Sequence, residues 1–481
     1  MRKTPLSVAM ALFLLVWAGG HARAQSNSKI SPEVQKYVRV SAPVVALTHV
    51  RVVDGTGAAP KENQTIVISG GTIESVGDAG SATVPSGAQI LDLNGYTVIP
   101  GLVGMHDHLV YPSGRMPIYN EMAYSFPKLY LAGGVTSIRT AGSLEPYTDL
   151  ELKQEIDGGK IPGPKMDVSG PYLEGVGAFT PQMHELTGAD DARRLVNYWA
   201  DEGVTSFKAY MHITRAELAA AVETAHAHGL KMTGHLCSIG FREAAGLGID
   251  NLEHGLLVDT EFNPNKMPDK CDDSRTFATL AKLDLESAPV QDMIKDLVAH
   301  HVAVTSTLAV FETFVNDRPP LDPRVLDVLL LQAQIDYLRV RAQVGKNPRF
   351  ADGPVLLKKE MDFERMFAKA GGLLMAGEDP TGYGGVVAGF GDQRGLELLV
   401  EAGFTPVEAM RIYSYNGAQF LGELERIGTI AHGKAADVVV IHGDPSRNIA
   451  DVEKVEIVFK DGVGYDSEKL IQAVRGSVGL H

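Results

Sequence analysis

A chain of 481 residues, 44% hydrophobic and 21% charged, has the composition of a globular protein long enough for more than one domain. Its formal net charge of −15 speaks against nucleic acid and anionic membrane surfaces as partners, because both attract a basic face. Beyond the N-terminus no run is long and apolar enough to span a bilayer, so stable membrane insertion is not expected.

In chain order, Arg2 and Lys3 are followed by an apolar run from Leu6 to Trp17 and by the small-x-small site Ala22-Arg23-Ala24. This pattern predicts a secretory signal peptide over residues 1–24, and an exported chain, periplasmic or secreted, that starts at Gln25. Loss of the cations Arg2, Lys3 and Arg23 takes the net charge to −18. Residues 25–44 read as a polar lead-in. Residues 45–100 carry short alternating runs (TIVISG, TIESVG, QILDLNG) punctuated by Gly, Asn and Pro, and residues 426–481 repeat that texture in KAADVVVIHG and EKVEIVFKDG. Each piece is too small to fold comfortably alone, so a small β-sandwich domain assembled from both chain ends is predicted.

Between them, over residues 101–425, short apolar runs alternate with helical stretches: GLVGMHDH, VTSIRT, KMDVSGP, TSFKAY, KMTGHL, NLEHGLL, VAVTSTL and GLLMAGED. Helical stretches such as ARRLVNYWADEG end in Gly, as helices prefer. Eight strand–helix units predict an α/β fold, a (β/α)8 TIM barrel. Insertions at about 259–290 and 311–360 follow strands six and seven, where they could form lids or an oligomer contact. Cys237, two residues past His235 on an interior strand, reads as a buried free thiol, although an exported chain could pair it with Cys271.

Barrel enzymes place functional side chains at strand C-termini, and six potential metal ligands fall there: His106, His108, Lys208, His235, His254 and Asp379. His106 and His108 are two apart, so on a strand they face one side and one ion could take both imidazoles. Lys208 lies in an apolar strand; a cationic amine cannot ligate metal, but a buried neutral one can add carbon dioxide to form a carbamate with two donor oxygens. A lone His or an Asp after a strand is more often structural. It is the recurrence of six at strand ends that points to a two-metal hydrolase. No Gly-rich strand–turn–helix fingerprint argues for a dinucleotide.

With PGLVGMHDH, the Lys strand, GHL, EHG, the Asp after the eighth strand and the tail FTPVEAMRIYSYNGAQFLGELERIGTIAHGKAADVVVIHGDP, the chain resembles the amidohydrolase superfamily over about residues 45–470. Within it, the likeness is to the binuclear branch of imidazolonepropionase-like proteins and Xaa-Pro or Xaa-Arg dipeptidases. The resemblance implies two divalent ions, zinc foremost. His106, His108 and Asp379 would hold one, His235 and His254 the other, and carboxylated Lys208 would bridge them. It further implies a shared hydroxide that attacks a carbonyl, with Asp379 moving the proton and Tyr210 helping to polarise the carbonyl. His184 is a candidate substrate contact. Glu174, Glu185 and Glu378 would suit a cationic substrate tail, and Arg115 a carboxylate. Gly-Glu-Asp and Arg-Thr stand where many relatives have Thr or Ser before the Asp, and Arg-Asp; neither change removes a ligand. The expected activity is hydrolysis of an amide in a dipeptide, an N-acyl amino acid or an ochratoxin-type compound. The alternatives are a lactone, cyclic imide or phosphotriester, and a non-catalytic scaffold. A homo-oligomer is expected from the resemblance alone.

Overall fold

The computed structural model describes residues 30–113 and 118–480. The predicted signal peptide and Arg115 lie outside the described residues. The eight predicted central strands are present: β1 (Leu102–Asp107), β2 (Val135–Thr140), β3 (Lys165–Asp167), β4 (Ser206–Ala209), β5 (Lys231–Gly234), β6 (Asn251–Glu253), β7 (Ala303–Ser306) and β8 (Leu374–Ala376). Every residue of β1, β2 and β4 is buried, as expected of parallel strands covered by helices on their outer face. Two helices start at capping boxes: Thr214 and Glu217 before Arg215–Ala227, and Thr405 and Glu408 before Pro406–Arg411.

The ladders are parallel, β1–β2–β3 in one sheet and β4 to β8 in chain order in another. Parallel bridges Ser169↔Ser206 and Leu173↔Ala209 bring the chain after β3 to β4. The Asp379 amide donates to His106 O at 3.0 Å, so the end of β8 meets β1. Strand type, order and direction are therefore those of the expectation. Among the described residues the ladders form open sheets of three and five strands, not one closed ring.

Both chain ends meet in a single nine-stranded sheet. Tyr96–Pro100 pairs antiparallel with Val438–His442 in the register Val98↔Val440, joining the N-terminal strands to the C-terminal ones. The assembly from both ends is as predicted. The ladder is continuous, however, so two separate facing sheets are not what the pairing describes. Val45, Leu47, Ile66, Val98, Val438 and Phe459 form its own apolar cluster.

The first insertion folds back over the end of β5. Thr260 Oγ1 donates to Cys237 O at 2.5 Å, and Lys266 Nζ donates to Ser238 O at 2.7 Å. That path brings Cys271 to Cys237, and the two form a disulfide with a Cα–Cα distance of 4.9 Å. The free thiol expected at Cys237 is thus corrected: a loop distant in sequence supplies its partner. The second insertion carries helices Pro323–Val328 and Leu331–Val344, a short turn Pro348–Phe350, and the start of the long helix Gly353–Lys369. No described helix is long and apolar enough to cross a membrane.

Candidate metal centre

The six predicted ligands converge. His106 belongs to β1 and His108 follows it, Lys208 lies in β4, His235 and His254 come directly after β5 and β6, and Asp379 follows β8. All six are buried except His235, which is half-buried. Donor atoms of His106, His254 and Asp379 all lie within 4.8 Å of one another. His108 Nε2 is 3.7 Å from Asp379 Oδ1, and Lys208 Nζ is 3.3 Å from His106 Nε2. The His235 and His254 ring centroids are 4.5 Å apart. His254 (φ 68°) and Asp379 (φ 52°) both sit in the left-handed region that non-glycine residues avoid, and such cost persists where the surroundings dictate a side chain's direction. Close approach of β8 to β1 also requires Gly377, where a Cβ would stand 2.3 Å from His106 N.

Three of the six, His106, His254 and Asp379, are held from behind. His106 Nδ1 is 2.7 Å from Glu253 Oε2, and Arg139 Nη2 donates to Glu253 Oε1 at 2.7 Å; all three side chains are fully buried. The same Arg139 also donates to Met105 O and, at 3.3 Å, to Thr233 Oγ1. His254 Nδ1 lies 2.8 Å from Thr307 Oγ1, and Thr381 Oγ1 donates to Asp379 Oδ1 at 2.6 Å. Glu360 on the long helix accepts from the Leu256 and Leu257 amides at 3.1 and 2.8 Å, fixing the turn that begins at His254. Such outer contacts set the ring orientation and basicity of a ligand. Sequence reasoning missed Arg139, Glu253 and Glu360. For the first two the signal was visible, since each is a charged residue inside an apolar strand.

Burial dominates the electrostatics. It pushes the Lys208 ammonium down to about 8, against the attraction of Glu253 and Asp379. It lowers His235 to about 3, helped by Lys208, and holds His106, His108 and His254 well below the usual imidazole range. Neutral imidazoles are the ligating form. Burial raises the Asp379 carboxyl to about 6, with Lys208 and Thr381 opposing. Burial works against the charge of Glu253 too, but Arg139 and then Lys208 keep its carboxyl below the ordinary range. Four neutral imidazoles and one carboxylate within this small space, beside a lysine whose ammonium burial weakens, fit divalent transition metal ions.

The ligands floor a cavity of about 280 Å³. Tyr210 lines it, with its ring centroid 4.9 Å from that of His235 and 4.9 Å from that of Tyr172. Burial holds the Tyr210 hydroxyl well above its usual pKa, so it stays a proton donor. His184 does not line the cavity: its Nε2 is 3.0 Å from Asp191 Oδ2, and the neighbouring Met183 takes the wall position. The three candidate carboxylates also lie off the wall. Glu174 accepts from the Gly175 and His212 amides at 2.8 and 2.6 Å, and Glu185 accepts from the Gly177 and Ala178 amides at 2.8 and 2.9 Å. Glu378 is fully buried, and the charges of Asp392 and Asp107 add to burial in raising its pKa.

Comparisons with known proteins agree with this geometry. A dihydroorotase of Pelobacter propionicus is 33% identical over 99 residues, which is 21% of this chain and only 22% of that relative's length. Among solved structures, a Xaa-Pro dipeptidase with bound methionine superposes with a TM-score of 0.66 at 19% identity, covering 88% of this chain and all (100%) of the other. The A. niger ochratoxinase gives 0.62 at 18% identity, covering 91% and 100%. At those identities the structural likeness speaks to the fold. The model of the amidohydrolase family matches residues 97–463, most of the chain and every ligand above, and the chain belongs to that family.

Proposed function

We propose that the chain is an exported, binuclear metal-dependent amidohydrolase that cleaves the amide bond of a small dipeptide, an N-acyl amino acid or an amide-linked compound of the ochratoxin type. The observation that carries the reading is the convergence of His106, His108, Lys208, His235, His254 and Asp379 on the floor of one cavity. The (β/α)8 barrel is the architecture in which eight strands in this order deliver their C-terminal ends to one face. His106, His108 and Asp379 would hold one ion and His235 and His254 the second, zinc being the best suited. The Lys208 carbamate would lie between them.

Divalent ions bound there would supply an acidified water and a Lewis acid for the substrate carbonyl. The chain's own groups do the rest. Lys208, pushed down to about 8 by burial, gives up its ammonium proton more readily than an ordinary lysine, and the neutral amine so formed adds carbon dioxide, losing a second proton to form the carbamate. Asp379, raised to about 6, is ionised at neutral pH yet basic enough to accept a proton from the attacking water and return it to the leaving nitrogen. Tyr210, kept protonated, donates toward the carbonyl oxygen. The buried floor excludes bulk water from these transfers.

The test is a mass-spectrometric hydrolysis screen of residues 25–481 loaded with zinc and bicarbonate, over dipeptides, N-acyl amino acids, ochratoxin-type amides, lactones and phosphotriesters. Amide products are expected, and Asp379→Asn should lower the rate by about a thousandfold. Turnover of lactones or phosphotriesters alone would overturn the amide reading, and Tyr210→Phe with unchanged turnover would remove that residue from the mechanism.

A further inference from the structure

Above the metal-binding floor the cavity is apolar and aromatic. Tyr119, Phe179, Met183, Phe277, Phe311 and Phe314 line it. Apart from the floor, the charged residues on its described wall are Asp273 and Arg349. They come from different insertions and meet at 3.2 Å at the mouth, where the Arg349 side chain is 59% exposed.

Arg349 is presented by a fixed backbone. It sits in the turn Pro348–Phe350, where its amide donates to Asn347 Oδ1 at 3.0 Å. The next residue, Phe350, is buried; its ring stacks on Phe314 with centroids 5.3 Å apart and meets Tyr383 edge-on at 5.6 Å. The guanidinium lies 5.7 Å from the centre of the Phe277 ring, so cation–π attraction keeps it over the cavity wall. A guanidinium carries five N–H donors in a planar fork matched to a carboxylate, and Asp273 takes one of them through Nη2. An anionic group can therefore join Arg349 without displacing Asp273.

We infer that Arg349 is a specificity-determining residue that reads a carboxylate on an amide substrate whose other end is a large apolar or aromatic group held against the aromatic lining. The substrate class is then an N-acylated apolar or aromatic amino acid with a free carboxylate. This rests on the amide reading above, but it is tested by binding alone. The probes are uncleavable ketomethylene analogues of N-benzoylphenylalanine, as the free acid, the primary carboxamide and a terminal amine, titrated calorimetrically into the zinc-loaded protein.

The free acid should bind about tenfold more tightly than the carboxamide, a gain set by a charge-assisted pair open to solvent. Arg349→Gln should abolish that preference by weakening the acid alone, and Arg349→Lys should retain part of it. Asp273→Asn, which breaks the same ion pair from the other side, should leave the preference in place. Equal affinity of the wild type for acid and carboxamide would overturn the assignment, as would equal weakening of both by Arg349→Gln. Tightest binding of the amine, lost in Asp273→Asn, would overturn it in favour of a cationic substrate. Because none of the probes can be hydrolysed, a carboxylate preference would survive failure of the hydrolysis screen, so the two readings can fail separately.

Discussion

The floor and the mouth of the cavity are held by opposite means. On the floor, ligands at strand ends are locked by fully buried partners: Glu253 and Arg139 behind His106, Thr307 behind His254, Glu360 beneath the turn that follows. At the mouth, Phe277, Phe311, Phe314 and one solvent-facing ion pair come from two insertions, the first tied down by the Cys237–Cys271 disulfide. A floor built from strands and a mouth built from insertions can vary independently, which lets one reaction centre serve many substrates.

Three measurements would sharpen or break this division. The largest effect is expected for Arg139→Met, which leaves the Glu253 carboxylate buried without its guanidinium. Denaturant unfolding should show a loss of about 3–5 kcal/mol, and zinc affinity should fall about 10- to 100-fold as His106 loses its fixed partner. Unchanged zinc affinity would mean that the floor is not held from behind.

The next concerns Glu364, on the same helix as Glu360, fully buried and raised from 4.5 to about 8, chiefly by burial. An acid whose folded pKa exceeds its unfolded value favours the folded state fully below about 4.5, and loses that contribution as pH rises through about 8. Glu364→Gln should therefore flatten the fall in melting temperature between about pH 4.5 and pH 8, an effect on the order of a few kcal/mol. Parallel pH profiles for variant and wild type would exclude that role.

Cys271→Ser opens a loop spanning 34 residues and should cost about 2–4 kcal/mol of stability. Metal stoichiometry should stay the same while KM rises, because Cys271 anchors the stretch that carries Asp273, Thr276 and Phe277 to the wall. Loss of metal in this variant would show that floor and mouth are not separable.

The same division explains what could be read from the sequence. Strand ends recur with a regular texture, so His106, His108, Lys208, His235, His254 and Asp379 could be placed from local pattern alone. Arg139 and Glu253 were legible as charges in apolar strands, although their pairing depends on neighbours more than a hundred residues apart. The mouth was not legible. His184, Glu174 and Glu185 looked like wall residues, but each satisfies nearby chain: Asp191 for the first, and loop amides for the other two. Phe277 and Arg349 reach the cavity only through the folding of long insertions, which no short-range period encodes. The disulfide escaped for the same reason, and the alternation at the chain ends reports burial and not which strand pairs with which.

The helix Gly353–Lys369 begins three residues after Phe350 and carries Glu360 to the amides that follow His254. Gly255 leaves no room for error there, since a Cβ would stand 1.9 Å from Glu360 Oε1. The turn that presents Arg349 is thus chained to a rigid rod whose middle is seated against the turn that follows His254. Lengthening or shortening the segment between them would drag Glu360 out of register. Diversification of this scaffold toward new substrates should therefore proceed by exchanging side chains at 348–350, with the length of this stretch kept constant.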